Sequence, residues 1–418
     1  MSLSNFTLIK AGKLIDGNGG TPIENGVVLL ENELIRYSGP ATTVEIPQGL
    51  KYRTLDYSSY PVLPGLIDSH VHLIGLGDGR AGAELTKLPD EILTLQAAKN
   101  ATAHLHTGVT TVRDCGAKNR TTFELRRSME MGMTTGPRLV LTGRPAAIIG
   151  GHLSYFGIEA TGKDECRAIT RQLVKEGADF IKITASGGST STSIQERPSF
   201  TTDELSSITE EAHKFGKHTA AHCVNSQAMI NCLDAGIDTI IHGRHIEPDG
   251  KKHYRPDVTE RIVNQGVFVN YNMGGANYRF KTLVEKQQKY GLSTEETLLM
   301  NDLKFSREED QEICSKMRSQ GTNIVCGSDS AWGPYKMGQF FFEIDAHVDA
   351  GMSPMQAIVA STKDAARSCM VDDKVGTIEA GKIADLLVVN GDLTTNISIL
   401  KEVVDVFKDG VRIDRETI

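Results

Sequence analysis

The sequence has 418 residues, of which 39% are hydrophobic and 23% charged. That composition excludes collagen, coiled coil and wholesale disorder, and the length suits one large barrel with a smaller attachment. Lys and Arg number 45 against 53 Asp and Glu, a formal charge of −8, so the bulk charge carries no basic footprint for nucleic acid.

The chain opens with MSLSNFTLIKAGKLIDG, which lacks the charged start, long apolar core and small-residue cleavage site of a secretion signal. No apolar run reaches the roughly 18 residues of a membrane span. The seven cysteines are dispersed and form no CxxC pair. These features give the expectation of a cytoplasmic protein without disulfides and with no membrane or nucleic-acid partner.

Residues 1–61 hold turn-rich alternating segments, FTLIKAGKLIDG, GVVLLENELIRYSG and KYRTLDYSSY. Residues 371–418 do the same in VGTIEAGKIADLLVVNGD and VVDVFKDGVRI. Short strands bounded by glycine suit a small β-sandwich domain built from both termini. Between them, over 62–370, one supersecondary beat recurs. Strands are predicted near 62–72, 109–114, 138–143, 179–184, 218–223, 238–242, 267–271 and 323–329, mostly separated by helical stretches. Glycines at the helix-to-strand joins, Gly108, Gly177, Gly216, Gly236, Gly266 and Gly321, fit the left-handed turn that ends a helix. Helix starts are predicted at the capping boxes Thr201–Glu204, Ser293–Glu296 and Ser306–Glu309, and at Ser353-Pro354. Eight alternating units predict an α/β fold, a (β/α)8 TIM barrel. The rival, an open doubly wound sheet, is weakened because neither GxGxxG nor GxxxxGK[ST] follows the first strand.

Functional side chains of such a barrel cluster at the carboxyl ends of its strands. Here those ends carry His70-Val71-His72, Lys182, His222, His242 and Asp329. The two-residue period of a strand puts His70 and His72 on one face, and neutral imidazoles are good ligands for zinc and similar divalent metals.

PGLIDSHVHL resembles the opening signature of the amidohydrolase superfamily. The similarity continues in GVTTVRD, IKITASGG, HTAAHC, IIHG, GSDS and GTIEAGKIADLLVV. It is strongest toward the imidazolonepropionase-related branch, which includes metal-dependent prolidases and other dipeptidases. The resemblance implies two divalent metals, expected to be zinc. His70, His72 and Asp329 would bind the more buried one, and His222 and His242 the more exposed one. Lys182, carboxylated on its amine, would bridge them. An unmodified lysine is a cation and a poor ligand. A neutral amine that captures carbon dioxide becomes a carbamate, whose two oxygens can span metals about 3.5–4 Å apart.

The implied reaction is attack of a metal-bridging hydroxide on an amide carbonyl, with Asp329 shuttling the proton to the leaving amine. His152, in a GGH element, would hydrogen-bond the substrate carbonyl or oxyanion, although Leu153-Ser154-Tyr155 replaces the usual small continuation. His245 stands where dipeptidase-like members place a tyrosine against the substrate carboxylate. Arg244, His245, Tyr254 and Arg255 would supply cationic or hydrogen-bonding groups for an acidic end, and Tyr271 would line the mouth or pack in the barrel. Dipeptides or N-acyl amino acids are the expected substrates. Ureas, carbamates or cyclic amides form a second class, and a non-catalytic binding barrel a third reading. The resemblance also implies a homo-oligomer.

Overall fold

The computed structural model describes residues 5–47 and 49–416. The outermost parts of the terminal segments expected over 1–61 and 371–418, at 1–4 and 417–418, lie outside the described residues, as do the first residues of the opening segment MSLSNFTLIKAGKLIDG.

Eight parallel strands form the barrel: Leu66–Val71, Val109–Asp114, Arg138–Leu141, Ile181–Thr184, Thr219–Asn225, Thr239–Ile246, Phe268–Asn270 and Asn323–Ile324. They occur where predicted because their apolar, β-branched runs are buried on both faces, as a parallel sheet requires. The Asp179 N–H donates to the Leu141 carbonyl at 2.7 Å and joins the third strand to the fourth. At the other seam, Ser69 N–H meets the Cys326 carbonyl at 3.2 Å and Asp329 N–H meets the His70 carbonyl at 2.7 Å, closing the eighth strand onto the first. Only two residues of the eighth strand pair as a ladder; Val325 to Asp329 continue it through single bonds.

The β domain from both termini is one seven-stranded mixed sheet. In spatial order its strands are Val411–Arg412, Val403–Lys408, Leu386–Val389, Tyr52–Pro64, Phe6–Leu14, Ile23–Glu31 and Leu34–Pro40. The sheet curls until Ile35 N–H reaches the Lys382 carbonyl and Ala384 N–H reaches that of Glu33, both at 2.8 Å. Ile9, Val28, Ile35, Leu386, Val388 and Phe407 fill its interior. Tyr52–Pro64 runs unbroken through position 61, and Val62–Pro64 pair with Leu386–Val388, so the two ends of the chain meet in adjacent strands.

Two expectations are corrected. Ser306 starts no helix: it lies inside Thr294–Ser319, which begins at the Ser293 capping box and meets no glycine or proline that would stop it. The strand predicted over 62–72 is two strands that part at Gly65, where a Cβ would stand 2.2 Å from Thr110 Oγ1.

All six junction glycines have positive φ. Gly108 is the most constrained, because it also touches the terminal sheet: φ is +91° and a Cβ would lie 2.7 Å from Leu387 Cδ1. Gly108→Ala should therefore cost more than about 1 kcal/mol of stability, read as a lower midpoint in urea unfolding.

Candidate metal centre

The carboxyl ends of the strands open into a cavity of about 490 Å³ whose wall includes His70, His72, His152, Lys182, His222, His242, Arg244 and Asp329. Six of these, the histidines at 70, 72, 222 and 242 with Lys182 and Asp329, are the ligand set that the resemblance implied. Asp329 Oδ1 lies 3.4 Å from His70 Nε2 and 3.6 Å from His72 Nε2. The ligand atoms of His70, His72 and Asp329 fall within 4.8 Å of one another, a group able to hold a metal ion. Lys182 Nζ is 3.4 Å from His70 Nε2. The rings of His222 and His242 are 4.5 Å apart between centroids, and those of His70 and His242 5.6 Å.

Hydrogen bonds fix which nitrogen each imidazole turns to the centre. A carbonyl oxygen can only accept, so the facing ring nitrogen carries the proton and the other keeps its lone pair. His72 Nδ1 donates to the Gly116 carbonyl at 2.9 Å, leaving Nε2 free. His222 is reversed: Nε2 donates to the Gly187 carbonyl at 3.0 Å and Nδ1 is free. His70 Nδ1 faces Asn270 Oδ1 at 3.0 Å, and His242 Nδ1 faces Asn272 Oδ1 at 2.5 Å.

Burial keeps these rings neutral. It holds His70, His222 and His242 well below the usual histidine range and brings His72 and His152 down to about 3. Burial likewise pushes Asp329 up to about 7, against the pull of Lys182 and Arg244. Lys182 is 1% exposed and makes no salt bridge among the described residues. Its desolvation lowers the ammonium's pKa and favours the neutral amine. Neutral imidazoles, a carboxylate and a buried amine converging on one space fit the divalent centre.

The backbone aims these groups. His242 and Asp329 have φ of +74° and +56°, left-handed conformations that side-chain-bearing residues adopt at a cost of about 1–3 kcal/mol. Asp68, missed in the sequence, braces the HxH strand. Its Oδ1 accepts the N–H groups of His70 at 3.2 Å and Ser328 at 2.9 Å. Its Oδ2 accepts from Nε2 of His104 at 3.0 Å, whose Nδ1 in turn accepts the Gly338 N–H. Both partners of His104 come from segments distant in sequence.

Among the substrate candidates, His152 lies in the cavity wall with its ring 4.3 Å from that of His222. Thr190 Oγ1 accepts the Leu153 N–H and is 3.1 Å from His152 Nδ1, so its own proton can go to that nitrogen. Arg244 also lines the cavity, 3.9 Å from the buried carboxylate of Asp310. His245 and Tyr254 lie outside the cavity lining, which corrects their expected place at the substrate; Tyr271, expected at the mouth or packed in the barrel, is fully buried. Tyr271 sits between Asn270 and Asn272, so the strand period turns it to the opposite face, where its hydroxyl donates to Asp310 at 3.0 Å. The Tyr254 hydroxyl donates to Gln320, and His245 is fully buried beside the Tyr254 ring. Trp332 also lines the cavity, its ring 4.8 Å from that of His72.

The amidohydrolase family model matches residues 62–413. The chain belongs to the amidohydrolase family. This amidohydrolase is 24% identical to ochratoxinase of Aspergillus niger over 445 aligned positions, covering 97% of this chain and 86% of the relative. It is 21% identical to imidazolonepropionase of Agrobacterium fabrum, covering 92% of this chain and 88% of that one. Among solved structures it is similar to an Xaa-Pro dipeptidase with methionine bound in the active site: TM-score 0.82 and 27% identity, over 98% of this chain and 100% of the other. The amidohydrolase acts on carbon–nitrogen bonds and is metal-dependent.

The depressed histidines set a pH dependence. On unfolding, five imidazoles return toward 6.5, so below that value the unfolded chain binds more protons than the native one. Asp114 and Asp329, both raised to about 7, act oppositely, since the native state keeps protons that unfolded carboxyls lose near 3.8. Five groups outweigh two. Chelator-treated protein should therefore lose stability as the pH falls from about 6.5 toward about 4 in urea unfolding, and added zinc should raise the midpoint near neutrality but not in acid.

Proposed function

We propose that this amidohydrolase carries two metals, bridged by a carboxylated Lys182, and cleaves the amide bond of a dipeptide or an N-acyl amino acid. The observation that carries the substrate class is Arg244. Its guanidinium opens onto the cavity two residues beyond His242, and the buried Asp310 behind it keeps it charged and in place. A cation so held suits the carboxylate at the end of a short peptide. The likeness to the Xaa-Pro dipeptidase supports the same class.

His70, His72 and Asp329 would hold the buried metal, His222 and His242 the exposed one, and the Lys182 carbamate both, with zinc the expected ion. Such a pair supplies a water nucleophile at neutral pH and polarises the scissile carbonyl. Asp329 takes the proton of the attacking water and delivers it to the leaving amine. With Nδ1 engaged by Thr190, neutral His152 presents Nε2–H to the carbonyl oxygen as charge develops there. Arg244 anchors the carboxylate end and so fixes the depth of the scissile bond.

The likeness to imidazolonepropionase favours a second reading, hydrolysis of a urea, carbamate or cyclic amide with the same centre. A panel of dipeptides, N-acyl amino acids, ureas and lactams separates the two; turnover confined to the last two groups would reject the first. The cysteines, all free and buried, support a cytoplasmic setting. Exposed Tyr290, Leu298 and Phe305 on the hairpin of Gly274–Tyr290 and Thr294–Ser319 support the homo-oligomer.

Lys182→Ala should lower turnover by at least about 100-fold, with partial recovery in a short carboxylic acid plus zinc. Asp329→Asn should depress kcat far more than stability, and full retained kcat would assign the proton transfer to another group. Arg244→Met should raise KM about 10-fold or more for substrates with a free carboxylate and leave amidated analogues little changed.

A further inference from the structure

The seventh barrel strand, Phe268–Asn270, contributes no residue to the implied ligand set, yet it runs directly into Tyr271 and Asn272. Asn270 and Asn272 are buried on the face turned to the centre, one strand period apart. Each meets a different histidine: Asn270 meets His70 and Asn272 meets His242. The other two histidines are held by main-chain carbonyls, those of Gly116 and Gly187.

We propose that Asn270 and Asn272 are positioning residues, one for each metal: Asn270 presents His70 to the buried ion and Asn272 presents His242 to the exposed one. This rests on the two-metal reading.

The orientation of the Asn270 amide follows from its surroundings. Its Nδ2 donates to the carbonyls of Gly327 at 3.0 Å and Val325 at 3.3 Å. Carbonyls only accept, so the amide nitrogen must face them and Oδ1 must face His70. The proton of His70 is thereby held on Nδ1, and the Nε2 lone pair points toward Asp329 and Lys182. Val325 and Gly327 belong to the eighth strand, so the same amide ties His70 to the segment that carries Asp329.

Asn272 is held differently. Its Nδ2 donates to Asp329 Oδ2 at 3.4 Å, the oxygen on the far side from His70 and His72, which face Oδ1. The backbone that follows it is pinned from behind. The N–H groups of Met273 and Gly274 both donate to Oε2 of fully buried Glu343, at 2.8 and 2.5 Å. Glu343 Oε1 accepts from His347 Nε2 at 3.1 Å. Asn272 thus connects a ligand of the exposed ion to the acid that serves the buried one. Asn270 is tied to rigid main chain and Asn272 to a side chain, so each can be altered without the other.

The test loads the full-length protein with zinc alone. It measures affinity by competition with a graded chelator and occupancy at each position by anomalous diffraction. Asn270→Leu and Asn272→Leu keep the approximate shape and remove the acceptor. Asn270→Leu should weaken the buried site about 10–100-fold and leave the exposed site near wild type, and Asn272→Leu should weaken the exposed site by a similar factor and the buried site less, through the lost bond to Asp329. Asn272→Asp, which keeps an acceptor, should restore most of the exposed-site affinity. Unfolding in excess chelator reports the fold without metal. Because Asn270→Leu also strips two buried carbonyls, Asn270→Asp is its companion, expected to retain buried-site zinc better than the leucine variant.

Wild-type affinity at a variant's own site, or equal weakening of both sites by either leucine variant, would overturn the proposal. Wild-type protein that binds a single zinc would instead defeat the two-metal reading, and the Asn270 arm would still be read at His70 and His72.

Discussion

A neutral imidazole has one proton and one lone pair, and the oxygen behind the ring decides which nitrogen keeps which. Each of the four histidines around the centre has such an oxygen: Gly116, Gly187, Asn270 or Asn272. The barrel delivers those oxygens from the second, fourth and seventh segments to side chains on the first, fifth and sixth. Ring orientation is therefore set by strand closure, and the centre exists only when the whole barrel does.

The cost of this arrangement is desolvation. Five buried imidazoles are driven neutral, a lysine loses its hydration without gaining an ion pair, and Asp329 is pushed toward its protonated form. Left-handed backbone at His242 and Asp329 adds strain at the same strand ends. Divalent cations relieve much of that penalty, because they bind the deprotonated forms that burial already favours at histidine and supply the charge that Asp329 lacks. Metal and fold are thus thermodynamically linked through the same side chains.

Much of this was legible in the sequence, for physical reasons. Strands alternating with glycine-ended helices specify a barrel, and the implied ligands occupy strand ends where the period of two aims them inward. What escaped was whatever depends on a partner remote in sequence. Asp68 and His104 acquire meaning only once Ser328 and Gly338 arrive. The alternation Asn270-Tyr271-Asn272 held a usable signal, two polar side chains on the inner face of a core strand with the tyrosine between them turned away. Tyr254 and His245 were placed at the substrate by proximity to His242 along the chain, whereas the loop turns them into the packing behind it.

The sheet made from both ends of the chain has a consequence for biosynthesis. Val62–Pro64, immediately ahead of the first barrel strand, find their neighbours in Leu386–Val388, which leave the ribosome after all eight barrel strands. Until then the edge beside Tyr52–Pro64 stays open, a template for pairing with another nascent chain. The strand that seals it is made only after the whole barrel, so this edge is protected late in synthesis.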